Sequence, residues 1–127
     1  VLQSVYICDG VRRMDMEPGL AEAAQLFKVL GSESRLLLLR LLAAEPRTVG
    51  ALTEATGMSQ PLVSQHLRTL RQANLVAARR AGKESTYHLV DLHVTHVIAD
   101  ALIHVREPHA ADSAAQDSSP LIRKEPA

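Results

Sequence analysis

The chain of 127 residues has few cysteines, few aromatic residues and no long apolar run. Its single cysteine, Cys8, cannot form a disulfide within the chain, and we expect it to be a bystander. Only Tyr6, Phe27 and Tyr87 are aromatic, too few for an RNA surface on which bases stack. No apolar stretch reaches the roughly 18 residues that a membrane span needs, and no secretory signal pattern is present. We therefore expect a soluble, cytoplasmic protein with no membrane partner.

A net charge is also missing, because 14 basic and 14 acidic side chains cancel. Evenly mixed charges would argue against nucleic-acid binding, since neutralisation of phosphates dominates such binding. The charges are not evenly mixed: residues 59–83 carry five basic side chains and no acidic one, whereas residues 84–117 carry six acidic side chains and one arginine. The two blocks indicate separate tasks along the chain.

The length is that of about one domain, and its composition predicts three segments. Residues 1–17 have no sustained hydrophobic period and are expected to form a flexible arm. Residues 18–107 carry the helical and strand patterns of an ordered domain, and residues 108–127 are rich in Ala, Ser, Asp and Pro and are expected to be disordered.

Apolar residues at helical spacing predict three helices in the first half of the ordered domain. Pro18 is expected early in the first helix, and Gly31 is expected to end it. The second helix is so rich in leucine that we expect most of its surface to be buried. The third is short and ends at Gly57, a residue suited to a left-handed backbone. The second and third helices are predicted over 35–44 and 49–56, with N-caps at Ser32 or Ser34 and at Thr48.

A fourth helix follows Gly57 almost at once, which is the pattern of a helix-turn-helix motif. Ser59 is its predicted N-cap, Pro61 lies in its first turn, and Asn74 is expected to end it. Its apolar face is predicted to contain Leu62, Val63, Leu67 and Leu70.

After the fourth helix the pattern changes to that of strands. Two extended segments, Leu75–Arg80 and Ser85–Leu89, flank the turn sequence Ala81-Gly82-Lys83-Glu84, which predicts a β-hairpin, or wing. A last helix is predicted from Asp91 to Glu107. The predicted fold is therefore mainly α with a small β-hairpin, a winged helix-turn-helix.

The basic block coincides with the fourth helix and the wing, which predicts binding to double-stranded operator DNA. Glutamine can read adenine, whereas serine and arginine can contact bases or phosphates. A helix entering the major groove presents such side chains, and basic residues on a wing suit phosphate or minor-groove contacts. The predicted DNA-binding residues are Ser59, Gln60, Ser64, Gln65, Arg68 and Arg71 in the helix and Arg79, Arg80 and Lys83 in the wing.

Three segments resemble the ArsR/SmtB family of bacterial winged-helix repressors. They are Leu30-Gly31-Ser32-Glu33-Ser34-Arg35-Leu36, Ser59-Gln60-Pro61-Leu62-Val63-Ser64-Gln65-His66-Leu67 and Thr86-Tyr87-His88-Leu89. The resemblance covers about residues 18–107 and implies a homodimer, built from the first and last helices, that represses transcription until an inducer binds. It also implies that His66 is a packing position and not a ligand.

The last helix carries the strongest chemical signal, with Asp91 and His93 near its start and His104 and Glu107 near its end. The two histidines are eleven positions apart, hence about 20° apart around the helix but about 16 Å apart along it. One metal ion, with ligands near 2 Å, cannot bridge them within one helix. An antiparallel second copy of the helix, related by a two-fold axis near residues 98–99, would place Asp91 and His93 of each copy beside His104 and Glu107 of the other.

The predicted metal site therefore takes Asp91 and His93 from one chain and His104 and Glu107 from the other, twice per dimer. Two imidazoles and two carboxylates suit zinc or cobalt in tetrahedral geometry, and nickel if further ligands join, for which His109 is a candidate. The four positions also resemble the last-helix site of the family's zinc, cobalt and nickel sensors. The apolar stripe that would pack such a dimer contains Val94, Val97, Ile98, Ala101, Leu102 and Val105.

The family's other metal pattern is missing, because Thr48 and Gly50 stand where many members carry a Cys-x-Cys pair. We expect the metal-free dimer to bind operator DNA and metal to release it. Two alternatives stay open: a winged-helix repressor that senses no metal, and one for which metal is a corepressor. A small zinc hydrolase is disfavoured, because the carboxylates at the site are candidate ligands and leave no general base. We expect no enzymatic activity.

Overall fold

The structure, a computed structural model, describes residues 17–108, which form five helices and three strands. The described chain divides into two compact units, with the boundary between Leu92 and His93. The predicted arm and tail, with Cys8 and His109, lie outside the described residues apart from Glu17 and Pro108. The helices are α1 (Leu20–Leu30), α2 (Glu33–Ala44), α3 (Val49–Thr56), α4 (Gln60–Gln72) and α5 (Leu92–Arg106), and the strands are β1 (Arg47–Thr48), β2 (Val76–Ala81) and β3 (Glu84–Leu89).

Side-chain caps begin three of the helices at predicted positions. The hydroxyls of Ser32, Thr48 and Ser59 each accept a hydrogen bond from the backbone N–H three residues further on, at 3.2, 3.1 and 3.3 Å. Each cap satisfies one of the backbone donors left unpaired at a helix start. Of the two serines predicted to cap α2, Ser32 is therefore the cap.

The first helix begins later than predicted. Pro18 lies in a turn and not in the helix, because Gly19 has a φ of 85° and is the N-cap of α1. A residue in this left-handed conformation cannot continue a right-handed helix, and glycine adopts it at little cost. The helix therefore begins at Leu20.

The core of the first unit is aliphatic and lies among α2, α3 and α4. Leu38, Leu52 and Val63, one from each helix, have no exposed surface. The predicted core position of Leu62 on α4 is wrong, because its side chain is 38% exposed, and Leu37 on α2 is 43% exposed. Helix α2 therefore buries one face, whereas its leucine content predicted burial of most of its surface.

The wing is a hairpin with a turn of two residues. Ala81 and Glu84, which the sequence placed in the turn, pair with each other in the β2–β3 ladder, so only Gly82 and Lys83 connect the strands. Gly82 has a φ of 65°, the left-handed conformation that tight hairpin turns require. The wing predicted from the sequence is thus confirmed, with β2 shifted by one residue, β3 longer by one residue, and a shorter turn.

A third strand, which the sequence did not predict, pairs with the other edge of β3. This is β1, whose two residues lie opposite the wing: Arg47 pairs with Tyr87 and Thr48 pairs with Thr86, both antiparallel. The sheet order is β1-β3-β2. Because Thr48 is also the N-cap of α3, the sheet is joined directly to the helix-turn-helix motif.

Helix α5 has an uneven distribution of apolar side chains. Val94 and Ile98, predicted for a dimer interface, are already buried in a single chain, at 8% and 3% exposure. Val97, Ile103 and Val105 are exposed. None of the helices described over residues 17–108 is long and apolar enough to cross a membrane.

Candidate DNA-binding surface and metal donors

Helix α4 separates its residues into a buried face and an exposed face. Val63, Leu67 and Leu70 are buried, at 0%, 1% and 0% exposure, and hold the helix on the first unit. The N-cap Ser59 leads into a first turn that contains Pro61, so the start of the helix is rigidly defined. The predicted DNA-binding side chains of this helix lie off the buried face: Ser59, Gln60, Gln65, Arg68 and Arg71 are exposed, and Ser64 is half-buried.

The wing carries the remaining basic residues of the block. Arg79, Arg80 and Lys83 are all exposed, the last of them in the turn itself. Nε of Arg80 donates to the carbonyl oxygen of Gly82 at 3.4 Å, which draws this guanidinium towards the wing tip. The structure therefore places the three wing cations on β2 and at the tip.

Two hollows lie between α4 and the sheet. The α4–β3 cleft has a volume of about 510 Å³ and is lined by Ser64, Arg68, Arg71, Gln72 and Tyr87. The wing-tip hollow has a volume of about 320 Å³. It is lined by Thr48, Val49, Gly50, Gln60, Lys83, Glu84, Ser85 and Tyr87.

Sequence reasoning did not select Tyr87 or Gln72, although both line the α4–β3 cleft. Gln72 follows Arg68 by four positions, so helical spacing alone could have placed the two on one face. Tyr87 is one of three aromatic residues in the chain, but its relation to α4 depends on the strand pairing and has no local signal.

His66 is half-buried on α4 and lies against Arg35 of α2, where Nη1 of Arg35 is 3.5 Å from Nδ1 of His66. Nε of the same arginine donates to the carbonyl oxygen of Val29 at 2.7 Å. Burial lowers the pKa of His66 below its ordinary value of 6.5, and the positive charge of Arg35 lowers it further. This packing position within the first unit agrees with what the family resemblance implied.

The predicted metal donors lie at the two ends of α5. His93 is in its first turn, His104 is in its last turn, and Asp91 and Glu107 flank the helix; all four are exposed. Within residues 17–108 of one chain, no three His, Cys, Asp or Glu side chains are grouped so that they could hold a metal ion. A site built from these donors consequently needs a second copy of the helix.

The architecture and the basic α4–wing surface define a winged helix-turn-helix regulator. Residues 32–78 match the sequence profile of the family described as bacterial regulatory protein, arsR family. The chain is 39% identical over 89 residues to the HTH-type transcriptional regulator NmtR of Mycobacterium tuberculosis, covering 70% of this chain and 74% of NmtR. The chain belongs to the arsR family of bacterial regulatory proteins.

Two further comparisons agree with this assignment. The chain is 38% identical over 88 residues to the HTH-type transcriptional repressor SmtB of Mycobacterium tuberculosis, covering 69% of this chain but only 65% of SmtB. The solution structure of Mb0332 from Mycobacterium bovis, a homodimeric winged helix-turn-helix DNA-binding domain, matches with a TM-score of 0.65 and 31% identity. That match covers 73% of this chain and 90% of the domain.

Proposed function

We propose that the protein is a transcriptional repressor that binds double-stranded operator DNA as a homodimer. The observation that carries this proposal is the distribution of the acid-free basic block, whose cations all lie on the exposed face of α4 or on the wing. Neutralisation of phosphates provides sequence-independent affinity. The glutamines and serines of α4 provide groups that can read base edges in the major groove.

Exposed apolar side chains support the homodimer. On α1, Leu20 and Phe27 are 48% and 58% exposed, and on α5, Val97 and Val105 are 37% and 65% exposed. Leu20 and Phe27 are seven positions apart and lie on one face of α1, and a contiguous patch of exposed apolar side chains indicates an interaction surface. A two-fold dimer would also present two recognition helices to the two half-sites of an operator.

We propose further that α5 supplies half of each of two metal sites. His93 and His104 lie on one stripe of the helix, and the exposed residues Val97 and Ala101 lie between them on the same side. An antiparallel pair of such helices would bury the apolar centre and bring His93 of each copy to His104 of the other. Asp91 would join the first histidine and Glu107 the second.

The donor set suits zinc, cobalt or nickel, with His109 as a candidate additional donor for nickel. When bound, the metal would supply a bridge between the two copies, and the imidazoles would have to be neutral to bind it. A cation placed among acidic residues does not by itself repel DNA. Metal can weaken DNA binding only if it favours a dimer geometry that fits the operator poorly.

Selection from a random duplex library, followed by fluorescence anisotropy on the selected duplex, tests both proposals. We expect tight binding without metal and weaker binding with zinc, cobalt or nickel, by a factor of about 5–150. His93→Ala and His104→Ala should keep the affinity for DNA and lose the response to metal. His96→Ala is the matched control, because His96 is an exposed histidine of the same helix.

The alternatives give different results in the same experiment. A protein that selects no duplex is not a DNA-binding repressor. An affinity that no metal changes would identify a repressor without metal sensing, whereas tighter binding with metal would make the metal a corepressor.

A further inference from the structure

We infer that the α4–β3 cleft holds one backbone phosphate of DNA, with the Tyr87 hydroxyl as a donor beside the guanidinium groups of Arg68 and Arg71. This inference rests on the proposed function and assigns a task to a residue that lies outside the basic block. It also divides α4 into a part that reads bases and a part that positions the helix on the DNA backbone.

The spacing of the lining residues shows that one stripe of α4 forms a wall of the cleft. Ser64, Arg68, Arg71 and Gln72 follow one another at four, three and one positions, and residues three or four apart on a helix are neighbours. Gln65, the next residue along from Ser64, is exposed and does not line the cleft. The side chains of α4 that line the cleft therefore do not include Gln65, one of the residues predicted to contact bases.

The chemistry of the lining favours a phosphate. Arginine is always charged and offers several N–H donors in a planar fork that matches phosphate oxygens. The hydroxyls of Ser64 and Tyr87 and the amide of Gln72 add neutral donors, and no acidic side chain of residues 17–108 lines the cleft. All five lining residues can donate to an anion, and two of them neutralise it.

The wing-tip hollow provides an internal comparison. It contains one cation, Lys83, but also the carboxylate of Glu84, so its lining is not selective for an anion. Helix α4 contributes Gln60 to the lining of this hollow, and Gln60 lies at the start of the recognition helix, where base contacts are expected. Tyr87 lines both hollows, which places its side chain between the base-reading start of α4 and the cationic stripe nearer its end.

A phosphate contact and a base contact have different signatures. Loss of a phosphate contact weakens binding to all sequences about equally, whereas loss of a base contact relaxes specificity at one position. Tyr87→Phe removes the hydroxyl but keeps the ring and the charge. It should weaken binding to the selected duplex and to a scrambled duplex alike, by about tenfold, without changing the salt dependence.

Arg71→Gln should also weaken both duplexes, and it should reduce the slope of log K against log salt concentration by about 0.9 for each half-site, hence by about 1.8 for the homodimer. Arg40→Gln is the matched control, because Arg40 is an exposed arginine of α2 that does not line the cleft. It should leave the slope unchanged. Thermal unfolding of each variant shows whether the fold is retained.

A duplex series with a methylphosphonate at the equivalent backbone position of both half-sites, one position at a time, locates the contact. The penalty of Tyr87→Phe should disappear at one phosphate per half-site and persist at all others. The inference is wrong if Tyr87→Phe binds as the wild-type protein does, if it weakens only the selected duplex, or if no methylphosphonate removes its penalty. A wild-type protein that binds no duplex would instead overturn the proposed function itself.

Discussion

Nη1 of Arg35 lies 3.5 Å from Nδ1 of His66, and Nε of the same guanidinium donates to the backbone carbonyl of Val29 at 2.7 Å. Arg35 is in α2, Val29 is near the end of α1, and His66 is in the middle of α4. A single half-buried side chain therefore joins three helices of the first unit. The orientation of the proposed recognition helix depends in part on this contact.

Replacement of Arg35 by methionine should destabilise the fold. Arg35→Met keeps most of the apolar stem but removes the donor to Val29 and the contact with His66. We expect the free energy of unfolding in urea to fall by about 1–2 kcal/mol. Arg40→Met, at an exposed position of the same helix, should change it by less than about 0.5 kcal/mol. Equal effects of the two variants would contradict a structural role for Arg35.

The lowered pKa of His66 predicts a loss of stability in mild acid. Burial and Arg35 hold its pKa in the folded protein below the ordinary value of 6.5, so the unfolded chain binds this proton more readily. The free energy of unfolding should thus be unaffected above that value and decrease as the pH falls through 6.5 towards the lowered pKa. Urea titrations at a series of pH values should show a flatter decrease for His66→Gln than for the wild-type protein. A wild-type slope in His66→Gln would count against this assignment.

Two glycines predict opposite effects of the same substitution. Gly57 ends α3 with a φ of 77°, and no atom lies within 4 Å of an added Cβ, so Gly57→Ala should cost about 1 kcal/mol through backbone strain alone. Gly50 is inside α3, where an added Cβ would lie an ordinary 3.9 Å from Oγ1 of Thr48. Gly50→Ala should therefore stabilise the protein by about 0.5 kcal/mol. Thermal unfolding of both variants shows whether each substitution raises or lowers the stability of the protein. Destabilisation by Gly50→Ala would show that α3 does not tolerate the methyl group.

Mixed dimers test whether the proposed metal sites are shared between chains. Homodimers of His93→Ala and of His104→Ala should bind no metal at the α5 sites. A mixed dimer should regain one intact site, formed by His93 of one chain and His104 of the other. Random mixing should place about half of the chains in such dimers. Cobalt titration followed by visible absorption measures the recovered sites, and no recovery on mixing would contradict a site shared between two chains.

The end of α3 and the start of α4 were predictable because their signals are local. Ser59 and Gly57 act through hydrogen bonds and backbone angles within a few residues, so the turn between α3 and α4 follows from the sequence. Strand β1 was not predictable, because Arg47 and Thr48 form a strand only through pairing with residues about forty positions away. Leu62 was assigned to the wrong face because it is adjacent to Val63, and composition does not determine which of two neighbours points inwards.

Some residues of the candidate site were also predictable from local sequence signals, whereas others depend on the tertiary structure. The cations of α4 and the wing were found from their clustering along the chain, whereas Tyr87 joins their surface through the sheet. The metal donors Asp91, His93, His104 and Glu107 stay a prediction, because their spacing refers to a second copy of the helix.

The double role of Thr48 restricts how the protein can be regulated. Its backbone pairs with Thr86 of the wing while its hydroxyl caps α3, so a tilt of the wing would also break the start of the helix-turn-helix motif. Wing and motif should therefore move as one piece. The proposed dimer should bind less tightly to an operator whose half-site spacing is changed by a few base pairs. The joined wing and motif of each copy cannot deform to reach the displaced half-site. An inducer of the proposed dimer would then change the distance between the two helix-turn-helix motifs and leave the structure of each motif and its wing unchanged.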